Sequence, residues 1–91
     1  MEQTAKHIVF SGNVQGVGFR YTTHRIARRY DVTGFVRNQA DGTVEMLLQG
    51  STEQVTACLS DVQDSFSGYI RNARVEDLPY TSGYDDFRIT F

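Results

Sequence analysis

His7-Ile-Val-Phe-Ser-Gly-Asn-Val14, followed by Gln15-Gly-Val-Gly-Phe-Arg20, is the stretch in which a strand pattern gives way to a helix pattern. The first part is rich in β-branched and aromatic residues, and Ile8 and Phe10 alternate onto one face, which predicts a strand over residues 7–14. The glycines of the second part separate this strand from the residues that follow. A strand that passes through such a loop into a helix opens a β-α unit.

The residues after the glycines predict an amphipathic helix. Its apolar face is formed by Phe19, Thr23, Ile26, Ala27 and Tyr30. Two strand-like runs come next, Val32–Asn38 and Thr43–Gln49, and they flank a segment that contains Asp41-Gly42. An Asp-Gly pair between two such runs predicts a β-hairpin.

The second half of the chain repeats the order of helix and strand. Ser51-Thr-Glu-Gln54 matches a capping box, in which the serine caps a helix and the glutamine reaches back to it. The apolar face of this second helix consists of Val55, Cys58, Leu59, Val62 and Phe66. Gly68 is predicted to end it. Residues 73–78 then predict a fourth strand with imperfect alternation, and residues 87–91 a short final strand.

The predicted order is therefore β-α-β-β-α-β with an extra short C-terminal strand. Each helix connects two parallel strands, and right-handed crossovers place both helices on the same face of one sheet. This order predicts an α+β fold, a ferredoxin-like two-layer sandwich with two helices on one face of a mostly antiparallel sheet. Because globular chains this short rarely divide, residues 1–91 are expected to form a single domain.

Composition excludes several classes of protein. The chain is 40% hydrophobic and 22% charged, which is too apolar for a disordered protein, and its longest apolar runs, such as Ile8-Val9-Phe10, are too short for a membrane helix. A net charge of −2 argues against non-specific binding of nucleic acid or anionic membranes. No signal peptide is recognisable, and the lone Cys58 cannot form an internal disulfide. A cytoplasmic location is therefore expected.

Most residues that could support chemistry are isolated. His7 and His24 have no metal-ligating neighbours at suitable spacing, so no metal site is predicted. Cys58 lies on the apolar face of a helix, where it is expected to be a buried small hydrophobic residue and not a nucleophile. The adjacent acids Glu76-Asp77 and Asp85-Asp86 are expected to point to opposite faces of strands, as solvated edge charges.

The glycine-bearing loop and two polar residues are better candidates. Gly16-Val-Gly18 resembles the opening of a dinucleotide fingerprint, but Tyr21 occupies the third glycine position, and no P-loop Lys-Ser/Thr pair is present. A loop that enters a helix N-terminus presents backbone N–H groups that favour an anion, although such loops are equally often simple turns.

Arg20 and Asn38 each have a functional and a structural explanation. Arg20 lies in the first helical turn, where the macrodipole disfavours a cation by ~0.3–1 kcal/mol, and a bound anion would remove this conflict. The structural explanation is that the side chain of Arg20 simply extends into solvent. Asn38 ends a strand before the hairpin, and its amide can donate and accept hydrogen bonds. From the residues alone, a turn-forming asparagine is the favoured explanation.

Two segments resemble the signatures of a known family. Gly12-Asn-Val-Gln-Gly-Val-Gly-Phe-Arg20-Tyr is similar to the first signature of the acylphosphatase family, and Gly34-Phe-Val-Arg-Asn38-Gln-Ala-Asp-Gly-Thr-Val-Glu45 to the second. Length and element order also agree, whereas after Gly50 the likeness is generic. The resemblance implies an enzyme that hydrolyses acyl phosphates to carboxylate and inorganic phosphate, with phosphate as product and competitive ligand and without metal or cofactor.

The resemblance also implies the residues of the site. Arg20 binds the phosphoryl oxygens and Asn38 orients the attacking water, as the catalytic residues. The phosphate is bound by backbone N–H groups of Gln15, Gly16, Val17, Gly18 and Phe19.

Other classes of protein share parts of this pattern. An RNA-binding module has the same arrangement of elements, but its aromatic segment follows the first helix, whereas Gly16-Val-Gly-Phe-Arg-Tyr21 precedes it. A catalytically silent anion-binding or scaffold domain is a second alternative. Acylphosphatase-like domains also begin large carbamoyl-transferring maturation proteins, while the length of 91 residues favours a free-standing enzyme. A monomer is expected.

Overall fold

The computed structural model describes residues 2–91 and contains one five-stranded sheet and two helices. The elements are β1 Gln3–Gly12, α1 Phe19–Ala27, β2 Val32–Asn38, β3 Val44–Ser51, α2 Thr52–Ser65, β4 Ile70–Leu78 and β5 Phe87–Ile89. The strand order is β4-β1-β3-β2-β5, in which β2 and β5 are parallel and the other neighbours are antiparallel. The predicted ferredoxin-like sandwich is therefore confirmed.

The helices cover the face of the sheet to which the alternating apolar residues point. Ile8 lies opposite Met46 and Phe10 opposite Val44, and all four side chains are fully buried. Phe19 begins α1 and packs between two other aromatic rings of the core, with centroids 5.1 Å from Phe10 and 4.3 Å from Phe66. This aromatic contact fixes the start of α1 against β1 and α2.

β1 ends two residues earlier than predicted, and it also begins earlier, at Gln3. The register with β4 shifts after Ser11, and Gly12 has φ 123°. A Cβ on Gly12 would lie 2.5 Å from the carbonyl oxygen of Tyr69, so the close approach of β4 admits only glycine there. The next N–H, that of Asn13, donates to the same oxygen at 2.9 Å. The chain therefore leaves the sheet at this bulge and turns toward α1.

Residues 79–86, which we call the crossing segment, run from β4 at one edge of the sheet to β5 at the other. They pass over the face that the helices leave open. The side chain of Gln49 donates to the carbonyl oxygen of Thr81 at 3.0 Å and accepts from the N–H of Thr81 at 3.1 Å. The ring of Tyr84 lies 6.1 Å from that of Phe35. As a result Gln49 is fully buried, although it points away from the helices.

Several local predictions were wrong. α1 ends at Ala27, before Tyr30, and β5 ends at Ile89, before Phe91. The side chain of Gln54 accepts from the N–H of Asp31 and does not reach back to the N-cap. α2 ends at Ser65 with Phe66 as its C-cap, so Gly68 does not end it and lies beyond the helix. Asp85-Asp86 does not lie on a strand, because β5 begins only at Phe87. No helix within residues 2–91 has both the length and the apolar character that crossing a membrane requires.

Candidate active site

The sheet topology brings Gly16, Gly18 and Asn38 to the same end of the sheet, where β1 and β2 finish. β1 and β2 run in the same direction because each is antiparallel to β3, which lies between them. Phe10 near the end of β1 and Asn38 at the end of β2 both lie opposite Val44. Adjacent strands are ~4.8 Å apart, so the ends of β1 and β2 are separated by only ~10 Å. Ligands of α/β sheets commonly bind beyond the carboxyl ends of such strands.

Residues 13–18, which we call the glycine loop, connect β1 to α1. Gly16 has φ 78° and Gly18 has φ 76°, which is the left-handed region that disfavours residues with a Cβ. No atom lies within 4 Å of the position of a Cβ at either glycine. Backbone conformation and not lack of space therefore selects glycine at both positions.

The first turn of α1 leaves its backbone donors free. Gly18 is the N-cap, so no side chain caps the helix, and the first turn contains no acidic residue. The N–H of Thr22 donates to the carbonyl oxygen of Gly18 at 3.0 Å, which is the first helical hydrogen bond. Within the part of the chain that the structure describes, no N–H of residues 15–21 donates to another protein group. The unpaired donors and the helix dipole together make this end of α1 electropositive.

Two side chains of the glycine loop hold it in place. The side-chain amide of Gln15 donates to the carbonyl oxygens of Gln39 at 2.8 Å and Thr43 at 2.9 Å, so it ties the loop to the hairpin. The side chain of Val17 packs against the hydrophobic core. Both residues were predicted to bind substrate, and the structure leaves only their backbone N–H groups for that role.

The site itself is a small concavity of about 120 Å³. Its lining residues are Val14, Gly16, Gly18, Phe19, Arg20, Tyr21 and Asn38. Five of these residues were predicted to belong to the site, whereas Val14 and Tyr21 were not. The sequence pointed to Tyr21 only through its place beside Arg20 in the first turn of α1. Sites for drug-sized ligands span ~300–1,000 Å³, so this concavity suits a group of the size of phosphate. Among the described residues, no carboxylate lines it.

Arg20 and Asn38 are both half-buried at this concavity. Within residues 2–91, the guanidinium of Arg20 forms no hydrogen bond or ion pair, and the side chain of Asn38 forms no hydrogen bond. The structure therefore does not support the turn-forming explanation of Asn38, which needs a bond to its own backbone. The guanidinium carbon of Arg20 lies 5.0 Å from the ring centroid of Phe91 and 6.0 Å from that of Tyr21.

The other candidates lie elsewhere. Cys58 is fully buried, and burial raises the pKa of its thiol to about 12, so it is the inert hydrophobic residue that was predicted. His7 lies 2.7 Å from a carboxylate oxygen of Glu45, which also binds Arg37, on the face of the sheet opposite the helices. Among the described residues, no group of three His, Cys, Asp or Glu side chains is placed to hold a metal ion.

The structure is therefore that of an α+β sandwich with a small concavity beyond the ends of β1 and β2. A family model described as acylphosphatase matches residues 6–89. The chain belongs to the acylphosphatase family, and the predicted enzyme class, a hydrolase of acyl phosphates, is confirmed at this level.

Individual relatives support this assignment over nearly the whole chain. An acylphosphatase of Ligilactobacillus salivarius is 39% identical over 88 residues, which covers 94% of this chain and 96% of the relative. One of Pelotomaculum thermopropionicum is 38% identical and covers 100% of both chains. The crystal structure of acylphosphatase from Bacillus subtilis superposes with a TM-score of 0.88 at 30% identity, covering 97% of this chain and 99% of that one.

Proposed function

We propose that the chain hydrolyses acyl phosphates in the concavity, where Arg20 and the backbone N–H groups of residues 15–19 bind the phosphoryl group and Asn38 orients the attacking water. The observation that carries this proposal is a phosphate-sized concavity lined by residues that have unpaired donors. Arg20 and Asn38 line it together with three residues at the N-terminus of α1, Gly16, Gly18 and Phe19, and among the described residues no carboxylate lines it.

The donors suit the charge of the phosphoryl group. A guanidinium presents a planar fork of N–H groups that matches two phosphate oxygens, and charge-assisted hydrogen bonds of this kind are about twice as strong as neutral ones. The N–H groups of the glycine loop contribute further donors that are fixed before the substrate arrives. Donors held in this way stabilise charge that develops on the equatorial oxygens in the transition state.

The reaction needs no protein acid. The oxygen of water attacks phosphorus, and the bond from phosphorus to the acyl oxygen breaks, with its electron pair leaving on the carboxylate. A carboxylate of pKa ~4 leaves without protonation. The proton of the attacking water goes to a phosphoryl oxygen, because phosphate monoesters have a second pKa near ~6 and can accept it. The products are a carboxylate and inorganic phosphate.

Asn38 is the residue placed to orient the water. Its amide carries both a donor and an acceptor, so it can hold a water that also faces the phosphoryl group. Asn38 is the last residue of β2, and Gln15 ties the glycine loop to the hairpin just beyond it. Holding a nucleophile in line lowers the barrier through orientation. The proposed mechanism needs no residue from a second chain, so the proposal is of a monomeric enzyme.

The test is turnover of a synthetic acyl phosphate, measured beside an ordinary phosphomonoester and with a metal chelator present. We expect hydrolysis of the acyl phosphate alone, unchanged by the chelator and inhibited competitively by inorganic phosphate. Arg28→Ala, an exposed arginine at the other end of α1, is the matched control and should retain activity. Phosphate binding without turnover would instead indicate an anion-binding domain, and equal turnover of the phosphomonoester would contradict the proposed role of the leaving group.

A phosphate titration followed by backbone amide shifts locates the site independently. The shifts should centre on residues 15–20 and reach Asn38. Shifts confined to Arg28, Arg29 or Arg71 would indicate attraction to surface charge, and the proposed site would then be misplaced.

A further inference from the structure

Within residues 2–91, no hydrogen bond holds the guanidinium of Arg20 in one position. An arginine side chain has several rotatable bonds, and it loses this freedom when it binds a ligand in one geometry. Within residues 2–91 no carboxylate and no carbonyl oxygen holds its guanidinium. The close neighbours of the guanidinium are aromatic rings, and that of Phe91 is the nearer, at 5.0 Å from Cζ to the ring centroid.

The pairing of β5 with β2 brings Phe91 to the site. The two strands are parallel, and Ile89 is the partner of Val36. The N–H of Thr90 donates to the carbonyl oxygen of Val36 at 2.9 Å, so the chain stays attached to β2 beyond the end of β5. Continuing the register by two residues places Phe91 beside Asn38.

We propose that Phe91 is a positioning residue for Arg20, whose ring holds the guanidinium over the concavity. The proposal rests on the proposed function, because it requires that Arg20 binds the phosphoryl group. A guanidinium within ~6 Å of a ring centroid is attracted to the electron-rich face of the ring. The guanidinium is thereby confined near the place where the phosphoryl group binds, and less freedom is lost on binding.

The ring is suited to this role because it has little part in the core. The side chain of Phe91 is 91% exposed, so its removal uncovers almost no apolar surface and should leave the fold intact. A change in activity after substitution can therefore be assigned to the site and not to unfolding.

The test compares Phe91→Ala, Phe91→Leu and Phe91→Tyr for inorganic phosphate affinity, KM, kcat and thermal unfolding. We expect Phe91→Ala and Phe91→Leu to raise the Kd for phosphate and the KM by about two- to fivefold, the range that an exposed cation–π contact gives. Phe91→Tyr keeps the ring and should retain wild-type values. All three variants should unfold at the wild-type temperature. Tyr80→Ala removes an exposed aromatic side chain from the crossing segment and is the matched control.

Two further comparisons distinguish a failure of the role proposed for Phe91 from a failure of the proposed function. In an Arg20→Ala background, Phe91→Ala should cause no further loss of phosphate affinity, because the ring acts through Arg20. Wild-type values for Phe91→Ala or for Phe91→Leu would overturn the proposal, since neither residue offers an aromatic face. If Arg20→Ala itself left phosphate affinity and turnover unchanged, the proposed function would fail, whereas a defective Arg20→Ala with a normal Phe91→Ala would refute only the role of the ring.

Discussion

Two residues of the concavity are expected to contribute at different stages of the reaction. Arg20 is charged and is proposed to bind the phosphoryl group both before and during hydrolysis. Asn38 is neutral and is proposed to contact the water. A group that acts on the substrate affects binding and rate, whereas a group that orients the nucleophile affects the rate alone.

Substitution of Asn38 by alanine tests this difference. We expect Asn38→Ala to lower kcat by ~10²-fold, as loss of a positioned polar group commonly does, with little change in phosphate affinity. Arg20→Ala should weaken phosphate binding and slow turnover as well. Circular dichroism must show that both variants are folded. A folded Asn38→Ala protein with normal kcat but poor phosphate binding would make Asn38 a substrate ligand.

Thr23 offers a prediction about stability. It is fully buried in α1, and its hydroxyl has no hydrogen-bond partner among the described residues. A buried unpaired hydroxyl costs about 1–3 kcal/mol, and valine has the same shape without it. Thr23→Val should therefore raise the free energy of unfolding by ~1 kcal/mol or more in urea denaturation. A lower stability would show that the hydroxyl has a partner in solution.

Among the elements of the structure, the glycine loop depends on backbone conformation. Residues other than glycine at φ near +77° carry a cost of roughly 1–2 kcal/mol each, even where space is free. Replacement of Gly16 and Gly18 together by alanine should shift the loop toward other conformations. Its N–H groups would then no longer be held where the proposed phosphate site needs them.

We expect the Gly16→Ala/Gly18→Ala double variant to lose most of its kcat/KM, while its free energy of unfolding falls by no more than the ~2–4 kcal/mol of backbone strain and the protein stays folded. Gly68→Ala is the matched control, because Gly68 is exposed, has no positive φ and has open space at its Cβ position. Activity and urea denaturation are measured on the same preparations. Full turnover of the double variant would mean that both glycines merely form a turn.

The three central strands share an ion-pair cluster on the face opposite the helices. Burial opposes ionisation of Glu45 most strongly, but its bonds to His7 and Arg37 outweigh this effect and lower the pKa of Glu45 below its ordinary value. A lowered pKa means that the folded state binds this proton less readily than the unfolded state. The stabilisation is therefore complete above the unfolded pKa of ~4.3 and is lost as the pH falls through the folded value.

Glu45→Gln should be less stable than the wild type at pH 7, and the difference should shrink as the pH falls below ~4. Unfolding by urea at several pH values between 3 and 7 measures it. Glu2→Gln, at an exposed position near the start of β1, is the control and should show no such trend. A difference independent of pH would mean that the charge of Glu45 does not contribute to stability.

For the whole molecule, the crossing segment is the feature that closes the second face of the sheet. Gln49 holds it through paired hydrogen bonds to the backbone of Thr81. Gln49 lies five residues along β3 from Val44, at ~3.4 Å per residue, so this contact is ~17 Å from the strand end that borders the site.

Gln49→Leu removes both bonds and leaves the backbone groups of Thr81 without partners. We expect the free energy of unfolding to fall by about 1–3 kcal/mol, while kcat/KM measured well below the unfolding transition stays near the wild-type value. Urea denaturation and the acyl phosphate assay provide the two measurements. A large loss of kcat/KM in the folded variant would show that the crossing segment also shapes the site.

The sequence by itself determined the order of the elements, the two-layer fold and the residues of the glycine loop. These depend on local patterns: alternation in β1, the apolar faces of α1 and α2, and the Asp41-Gly42 turn. Each pattern involves residues that are close together in the sequence. Arg20 could be singled out in the same way, because it opposes the helix dipole. For Asn38 the residues alone favoured a turn, and only the resemblance of its segment to a family signature favoured a functional role.

The tertiary structure alone decided which distant groups meet. Strand pairing placed β3 between β1 and β2, and so set Asn38 beside the glycine loop, and the β5–β2 register brought Phe91 to Arg20. The bond of Gln15 to the hairpin and the burial of Gln49 under the crossing segment have no local signal, because each joins residues at least 24 positions apart in the chain. Such contacts follow from the packing of the whole sheet, and no pattern of neighbouring residues encodes them.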